Sequence, residues 1–255
     1  MPKGRKPPRA AIPPTLPIPE PMRAPAAGQP NGAIAVAQQA EREAVIGLLA
    51  EERTPAQARR LAQHAGWFAG QLVDQLVDTS AVACRAGCAW CCSLFVSATA
   101  PEILLIADYL RATCSAAQLA DLRERLAQRE QQIAGSTAQQ RSAARRPCVL
   151  LVDGSCSVYP VRPLACGSWT STNAKRCEES WRRHWATTIT SNQLQLWLYG
   201  GVMLGLREGL GACGLPAEQL DLTIALRIAL ETPDADARWL AGEPVFAPAQ
   251  VDLNT

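Results

Sequence analysis

Histidine is almost missing from this chain of 255 residues, which has two. That scarcity argues against a catalytic metal site built on imidazoles, which takes two or three of them around one ion. No serine–histidine–acid triad, carboxylate dyad or phosphate-cradling glycine loop is recognisable either. A formal charge of +2 gives no case for nucleic acid as a main partner. Arg141, Arg145 and Arg146 form a small basic run that reads as a solvated face or loop. Long apolar runs are also lacking. Leu194–Leu206 is the best of them, and it falls short of the roughly 20 residues that cross a bilayer. It reads as a buried helix, and no membrane partner is expected. Lys3, Arg5, Lys6 and Arg9 could start a secretion signal, but prolines at 13, 14, 17, 19 and 21 break the stretch that follows. A signal needs an unbroken apolar core of roughly 7–15 residues. The expectation is a cytoplasmic protein with reduced thiols.

What is present is mostly helical patterning. Apolar residues make up 48% and charged residues 19%, enough for a buried core at this length. Residues 1–33, rich in Pro, Ala and Gly, read as a disordered Pro-rich tail. Helix is expected over Ala33–Glu52, and again from the Thr54-Pro55 start to about Asp78. The second carries a stripe of Leu61, Ala65, Phe68, Leu72 and Leu76, with His64 beside it as a packed residue rather than a ligand. Thr99-Ala100-Pro101-Glu102 and Ser115-Ala116-Ala117-Gln118 are capping boxes, each opening a helix, and Gly135 suits a C-terminal stop. Residues 136–146 read as loop. Around Asp153-Gly154, two β-prone runs predict a hairpin. Prolines 160 and 163 and Gly167 predict an irregular path through Cys166 to Cys177. Helices return over Ser191–Leu210, Leu215–Leu230 and a short stretch from Thr232-Pro233 to Leu240. The predicted fold is mainly α: one helical domain over 34–241, a small cysteine-rich hairpin and loop region forming a metal centre within about 80–180, and a tail over 242–255.

Ten cysteines carry the functional signal. Cys84, Cys88, Cys91 and Cys92 fall within nine residues, and Cys148, Cys156, Cys166 and Cys177 follow later. Thiolates hold zinc and iron–sulfur clusters, and Cys88 and Cys91 have the spacing of a metal knuckle, because two intervening residues let the chain bend around one ion. Cys84 lies close enough to join them. Cys92 adjoins Cys91 and is expected to turn away, towards a second centre or a supporting position. Pairing across the hairpin would bring Cys148 near Cys156. Two four-cysteine sites, or one site with spare thiols, both fit the count. Disulfides and inert buried thiols are the alternatives for the whole set. Cys114 and Cys213 sit at expected helix ends and read as small buried hydrophobes.

These residues resemble the YkgJ-type cysteine-cluster family, the zinc- or iron-chelating CxxCxxCC domain. The likeness rests on Cys84–Cys92 with the Glu102 helix, Cys148, Asp153 to Tyr159, Val161 to Cys166, and Cys177. Two departures stand out: three residues separate Cys84 from Cys88, and Gly167 follows Cys166 where an arginine is usual. The resemblance implies a mostly helical metal-binding domain, some of whose relatives are similar to flagellin lysine N-methylases. Tyr159 and Arg162 lie inside the matched motif. Arg162 could neutralise thiolate charge or pin the loop. Trp90, Trp169, Trp181 and Trp185 could shield the centre or pack in the core.

Three functions stay open at this point. The first is a protein that stores, delivers or senses iron or zinc. The second is an enzyme whose iron–sulfur cluster supports redox or methyl-transfer chemistry. The third is a structural zinc module presenting a surface to a protein partner. Cys84, Cys88 and Cys91 also have the spacing of radical SAM enzymes, but that fold needs repeated strand–helix units. The irregular cysteine spacing tilts the metal towards iron.

Overall fold

Local signals account for most helix starts. A computed structural model describes residues 30–85, 87–185 and 187–251, and those residues are mainly α-helical. The first helix, α1, spans Pro30–Glu51. Thr54 caps α2 (Pro55–Leu76) by accepting from the Gln57 N–H at 3.3 Å, with proline in the first turn. A 3₁₀ turn, Trp90–Ser93, and a short strand β1 (Ser97–Ala98) lead to α3 (Ala100–Thr113) and α4 (Ala116–Ile133), each opened by its expected capping box. The hairpin pairs β2 (Leu151–Val152) with β3 (Ser155–Cys156), Leu151 facing Cys156. Asp153 (φ 50°) and Gly154 (φ 74°) both take the left-handed conformation that such two-residue turns require.

Five expectations change. Residues read as loop contain α5 (Ala138–Ala143), whose Thr137–Gln140 capping box was there to be seen. The supposedly irregular stretch holds a 3₁₀ turn (Tyr159–Val161) and two helices, α6 (Leu164–Ser168) and α7 (Ala174–Arg182), the latter capped by Asn173. After α8 (Gln193–Ala212) the chain does not re-enter helix at Leu215. It first forms β4 (Leu220–Asp221), which pairs with β1, and Asp221 then caps α9 (Leu222–Glu231) by accepting from Ile224. After α10 (Ala235–Leu240), the expected tail folds back. Phe246 and Ala249 are buried, and the Val251 N–H donates to Gln219 O at 3.0 Å, because an apolar groove is there to cover. At the other end, α1 takes in the last four residues assigned to the Pro-rich tail, and Ala33 is buried. The rest of that tail, and residues 252–255, lie outside the described residues.

The frame is α1 laid along α8, with α2 and α3 packed beside them. Gly201, Gly205 and Gly209 recur every fourth residue of α8 and let the two backbones approach. A Cβ on Gly201 would stand 2.7 Å from Ile34 O, and one on Gly209 would stand 2.6 Å from Val45 Cβ. Beside this seam Glu41 is wholly buried, 3.0 Å from His64 Nδ1. Burial raises the Glu41 pKa above 4.5, while its hydrogen bond and charge contact with His64 oppose the shift. His64 also packs on Trp67 and Phe68, so it is a packed residue, as expected. Among the described residues, no helix is long and apolar enough to cross a membrane.

Candidate metal centre

The eight candidate cysteines come from five places in the chain. Cys84 and Cys88 lie on the irregular approach to the 3₁₀ turn that carries Cys91 and Cys92. Cys148 precedes the hairpin, Cys156 ends it, Cys166 is on α6 and Cys177 is on α7. All ten cysteines of the chain are free thiols. Cys114 and Cys213 stop α3 and α8 and pack against the core, as expected of small hydrophobes.

Two distal cysteines, Cys148 and Cys166, are held by the helical frame. On α4, Arg129 donates to Pro147 O at 2.8 Å and Arg125 donates to Val149 O, gripping Cys148 on both sides. The Cys148 N–H donates to Cys92 O at 2.7 Å, which joins the two sequence clusters directly. Glu102 does more than cap α3. One carboxylate oxygen accepts from both the N–H and the hydroxyl of Thr99 at 2.7 Å, and the other accepts from the Leu164 N–H at 2.8 Å. It thereby fixes the start of α6, two residues before Cys166. Burial raises its pKa, against the lowering effect of these hydrogen bonds.

The proximal side is held differently. Ala83 donates to Ser171 O at 2.8 Å, and the Ser171 N–H donates to Cys84 Sγ at 3.3 Å. Trp90 of the turn packs on Trp181 of α7, ring centres 5.5 Å apart, which brings the helix of Cys177 to the turn. Arg145 lies 4.8 Å over the same Trp181 ring, and Arg141 pairs with the buried carboxylate of Asp221. Two of the three arginines in the basic run are therefore structural. The tryptophans divide: Trp90 and Trp181 pack together, Trp185 donates to Ser142 O, and Trp169 stands exposed.

The thiols carry the imprint of their surroundings. Desolvation pushes up Cys84, Cys88, Cys156, Cys148 (to about 11) and Cys166. Cys91 is pushed up first by its hydrogen bond with Cys92. Cys91 and Cys92 stand side by side on the 3₁₀ turn. Opposing desolvation, the backbone N–H two residues on donates to Cys88 (from Trp90), Cys148 (from Leu150) and Cys156 (from Val158). Such bonds favour the thiolate, the form that ligates metal. Arg162, stacked 4.4 Å over the Tyr159 ring, pulls Cys84, Cys91, Cys156 and Cys166 in the same direction.

Sulfur donors with backbone and guanidinium support suit zinc or iron chemically. As placed, no group of three or more histidine, cysteine, aspartate or glutamate side chains among the described residues could hold a metal ion. The thiols are near enough to sense one another's charge, and closing on a metal would require them to draw together, at about 2.3 Å from the ion. Neither the curated proteins nor the solved structures contain a match to this chain. Residues 83–186, which contain all eight cysteines, match the family model CxxCxxCC, described as a "putative zinc- or iron-chelating domain". This cysteine-bearing segment of the chain is therefore a domain of the CxxCxxCC family.

Proposed function

We propose that the domain chelates zinc or iron through Cys84, Cys88, Cys91, Cys92, Cys148, Cys156, Cys166 and Cys177, and that it stores, delivers or senses that metal. The observation carrying this reading is the approach of two distant cysteine clusters, with Cys148 bonded through its backbone to Cys92 and three thiols served by their own downstream N–H groups. Arg162 would lower the cost of gathering thiolate charge, with Tyr159 holding its guanidinium in place. Metal binding displaces the thiol protons, so affinity falls in acid.

Iron is the metal we favour, because adjacent Cys91 and Cys92 and the unequal gaps suit a cluster or linked centres better than a zinc ribbon of two regular knuckles. The test is anaerobic expression with iron and sulfide, then metal analysis, absorption spectroscopy and an assay for acid-labile sulfide. Brown protein with iron and labile sulfide supports a cluster. Colourless protein with stoichiometric zinc overturns iron and leaves chelation standing. Folded protein without metal overturns chelation.

A further inference from the structure

The glycine row of α8 ends in a tryptophan. Cβ atoms added at Gly201, Gly205 and Gly209 would meet the carbonyl oxygens of Ile34, Gln38 and Arg42 in turn. The helices α1 and α8 therefore run parallel, in a register that advances four residues at a step. One step earlier, that register sets Trp197 level with Pro30, where α1 begins. The chain before Pro30 thus enters the fold beside Trp197. Trp197 is 39% exposed and Leu204, seven residues on, is 44% exposed. Gly200, between them, has nothing within 4 Å of where a Cβ would stand. Spacings of three, four and seven put these three residues on one stripe of α8. The Gln38–Glu208 hydrogen bond, 2.7 Å long, lies at the far end of the stripe. The Trp197 indole N–H, unlike those of Trp185 and Trp239, has no acceptor among the described residues.

We propose that the Trp197–Gly200–Leu204 stripe is a docking site for a proline-rich segment, and that its occupant is residues 12–21 of this same chain. That segment has prolines at 13, 14, 17, 19 and 21 and apolar side chains at Ile12, Leu16 and Ile18. Proline-rich segments favour an extended form with solvated carbonyls, which aromatic-lined grooves recognise. One such carbonyl would accept from the Trp197 N–H while the apolar side chains cover the indole and Leu204. Residues 22–29 link the segment to Pro30 and, fully extended, reach at most about 29 Å. Trp197 and Leu204 lie only about 10 Å apart along the helix, so the segment can turn back over both. So short a tether holds it near the stripe at an effective concentration on the order of millimolar. A free partner of the same contact chemistry lacks that advantage. Docking here is independent of metal chelation.

The test is hydroxyl-radical footprinting of the full chain, read residue by residue with mass spectrometry. Two other tryptophans calibrate it: Trp169, 46% exposed, is the open reference and Trp239, wholly buried, is the closed one. In wild type, Trp197 should be oxidised several-fold more slowly than Trp169. The full chain carrying Leu16→Asp and Ile18→Asp together should oxidise Trp197 at close to the Trp169 rate, with Trp239 still slow. Both substitutions lie outside the described residues, so they leave the helical frame unaltered. In the reciprocal experiment, Trp197→Ala at unchanged helicity should let trypsin cut after Arg23 several-fold sooner than in wild type. Equal Trp197 oxidation in wild type and the double variant overturns the proposal, as does unchanged cutting after Arg23. Protection of Trp197 that grows with protein concentration and persists in the double variant also overturns it, and assigns the stripe to a second copy of the chain.

Discussion

Removing the Glu102 carboxylate tests whether the helical frame holds the metal half of the domain in place. The side chain is buried, and its two oxygens serve the Thr99 N–H, the Thr99 hydroxyl and the Leu164 N–H. Thr99 and Leu164 are themselves 2% and 3% exposed, so water cannot easily replace the lost acceptor. Each stranded backbone donor costs about 1–3 kcal/mol, and the two together about 2–6 kcal/mol. Relief from burying an ionisable group offsets part of this, since burial already disfavours the charged form. Glu102→Ala should therefore cost on the order of 3 kcal/mol, a large share of the roughly 5–15 kcal/mol that stabilises a domain. Glu102→Gln keeps one acceptor oxygen but turns an amide N–H₂ towards a donor, and it should cost about 1–3 kcal/mol.

Urea denaturation followed by far-ultraviolet circular dichroism measures this directly. With a slope near 2 kcal/mol per molar urea, the midpoint should fall by about 1–2 M in Glu102→Ala and by less in Glu102→Gln. The location of the damage discriminates further. Because Leu164 opens the helix of Cys166, metal-loaded Glu102→Gln should admit iodoacetamide at Cys166 sooner than at Cys88. An unchanged urea midpoint in Glu102→Gln would mean that α6 is fixed by other contacts. The Leu164 bond would then have no energetic role.

Three more outcomes follow from the same geometry. Gly201→Ala should destabilise by about 1–3 kcal/mol, because its Cβ meets Ile34 O at 2.7 Å, whereas Gly200→Ala, with nothing within 4 Å, should be neutral or stabilise by up to about 1 kcal/mol in thermal melts. The raised Glu41 pKa means that the folded state favours its protonated form: that contribution is full below the unfolded value of 4.5 and is lost as pH rises through the folded value. The melting temperature of Glu41→Gln should thus gain on wild type as pH climbs from 4 towards 8, and a constant difference would refute the assignment. Arg162→Ala should release zinc to a chelator faster than wild type, with Arg162→Lys intermediate because lysine keeps the charge and loses the planar stack on Tyr159; equal rates in all three would rule out the counter-charge role.

What could be read from sequence was what neighbours in the chain decide. The Thr99–Glu102 and Ser115–Gln118 boxes, the Asp153-Gly154 turn and the stripe from Leu61 to Leu72 each depend on residues within a few positions, and each is where it was expected. The second bond of Glu102 spans 62 positions, and no local pattern announces it. Glu41 was invisible for a related reason: an acid on a helix reads as a solvated face until α8 is laid over it. The glycines of α8 carry a signal, one every fourth residue, but the apolar pattern around them is the stronger one. Thr137 and Gln140 mark Ala138–Ala143 as clearly as the other boxes mark theirs, but no buried apolar stripe follows them. The two clusters of cysteines were plain from spacing. The approach of α7 to the Trp90–Ser93 turn was not, because it depends on the long-range Trp90–Trp181 contact.

The two sides of the centre differ in how they are built, and this bears on what metal does for the fold. Cys148 and Cys166 inherit rigidity from α4 and α3 through Arg125, Arg129 and Glu102. Cys84 and Cys88 inherit little, because from Val77 to Ala89 the described residues form neither helix nor strand. Fixing about a dozen such residues costs on the order of 12–24 kcal/mol of conformational entropy. Against this stand the bonds to Ser171, the Trp90–Trp181 contact and a few local or exposed bonds at Asp78, Thr79 and Arg85, together worth only a few kcal/mol. A zinc ion on four thiolates supplies roughly 10–16 kcal/mol, the same order as the deficit. The framework side is therefore prepared in advance by hydrogen bonds from helices, whereas the Cys84–Cys88 side would gain more of its order from a bound metal.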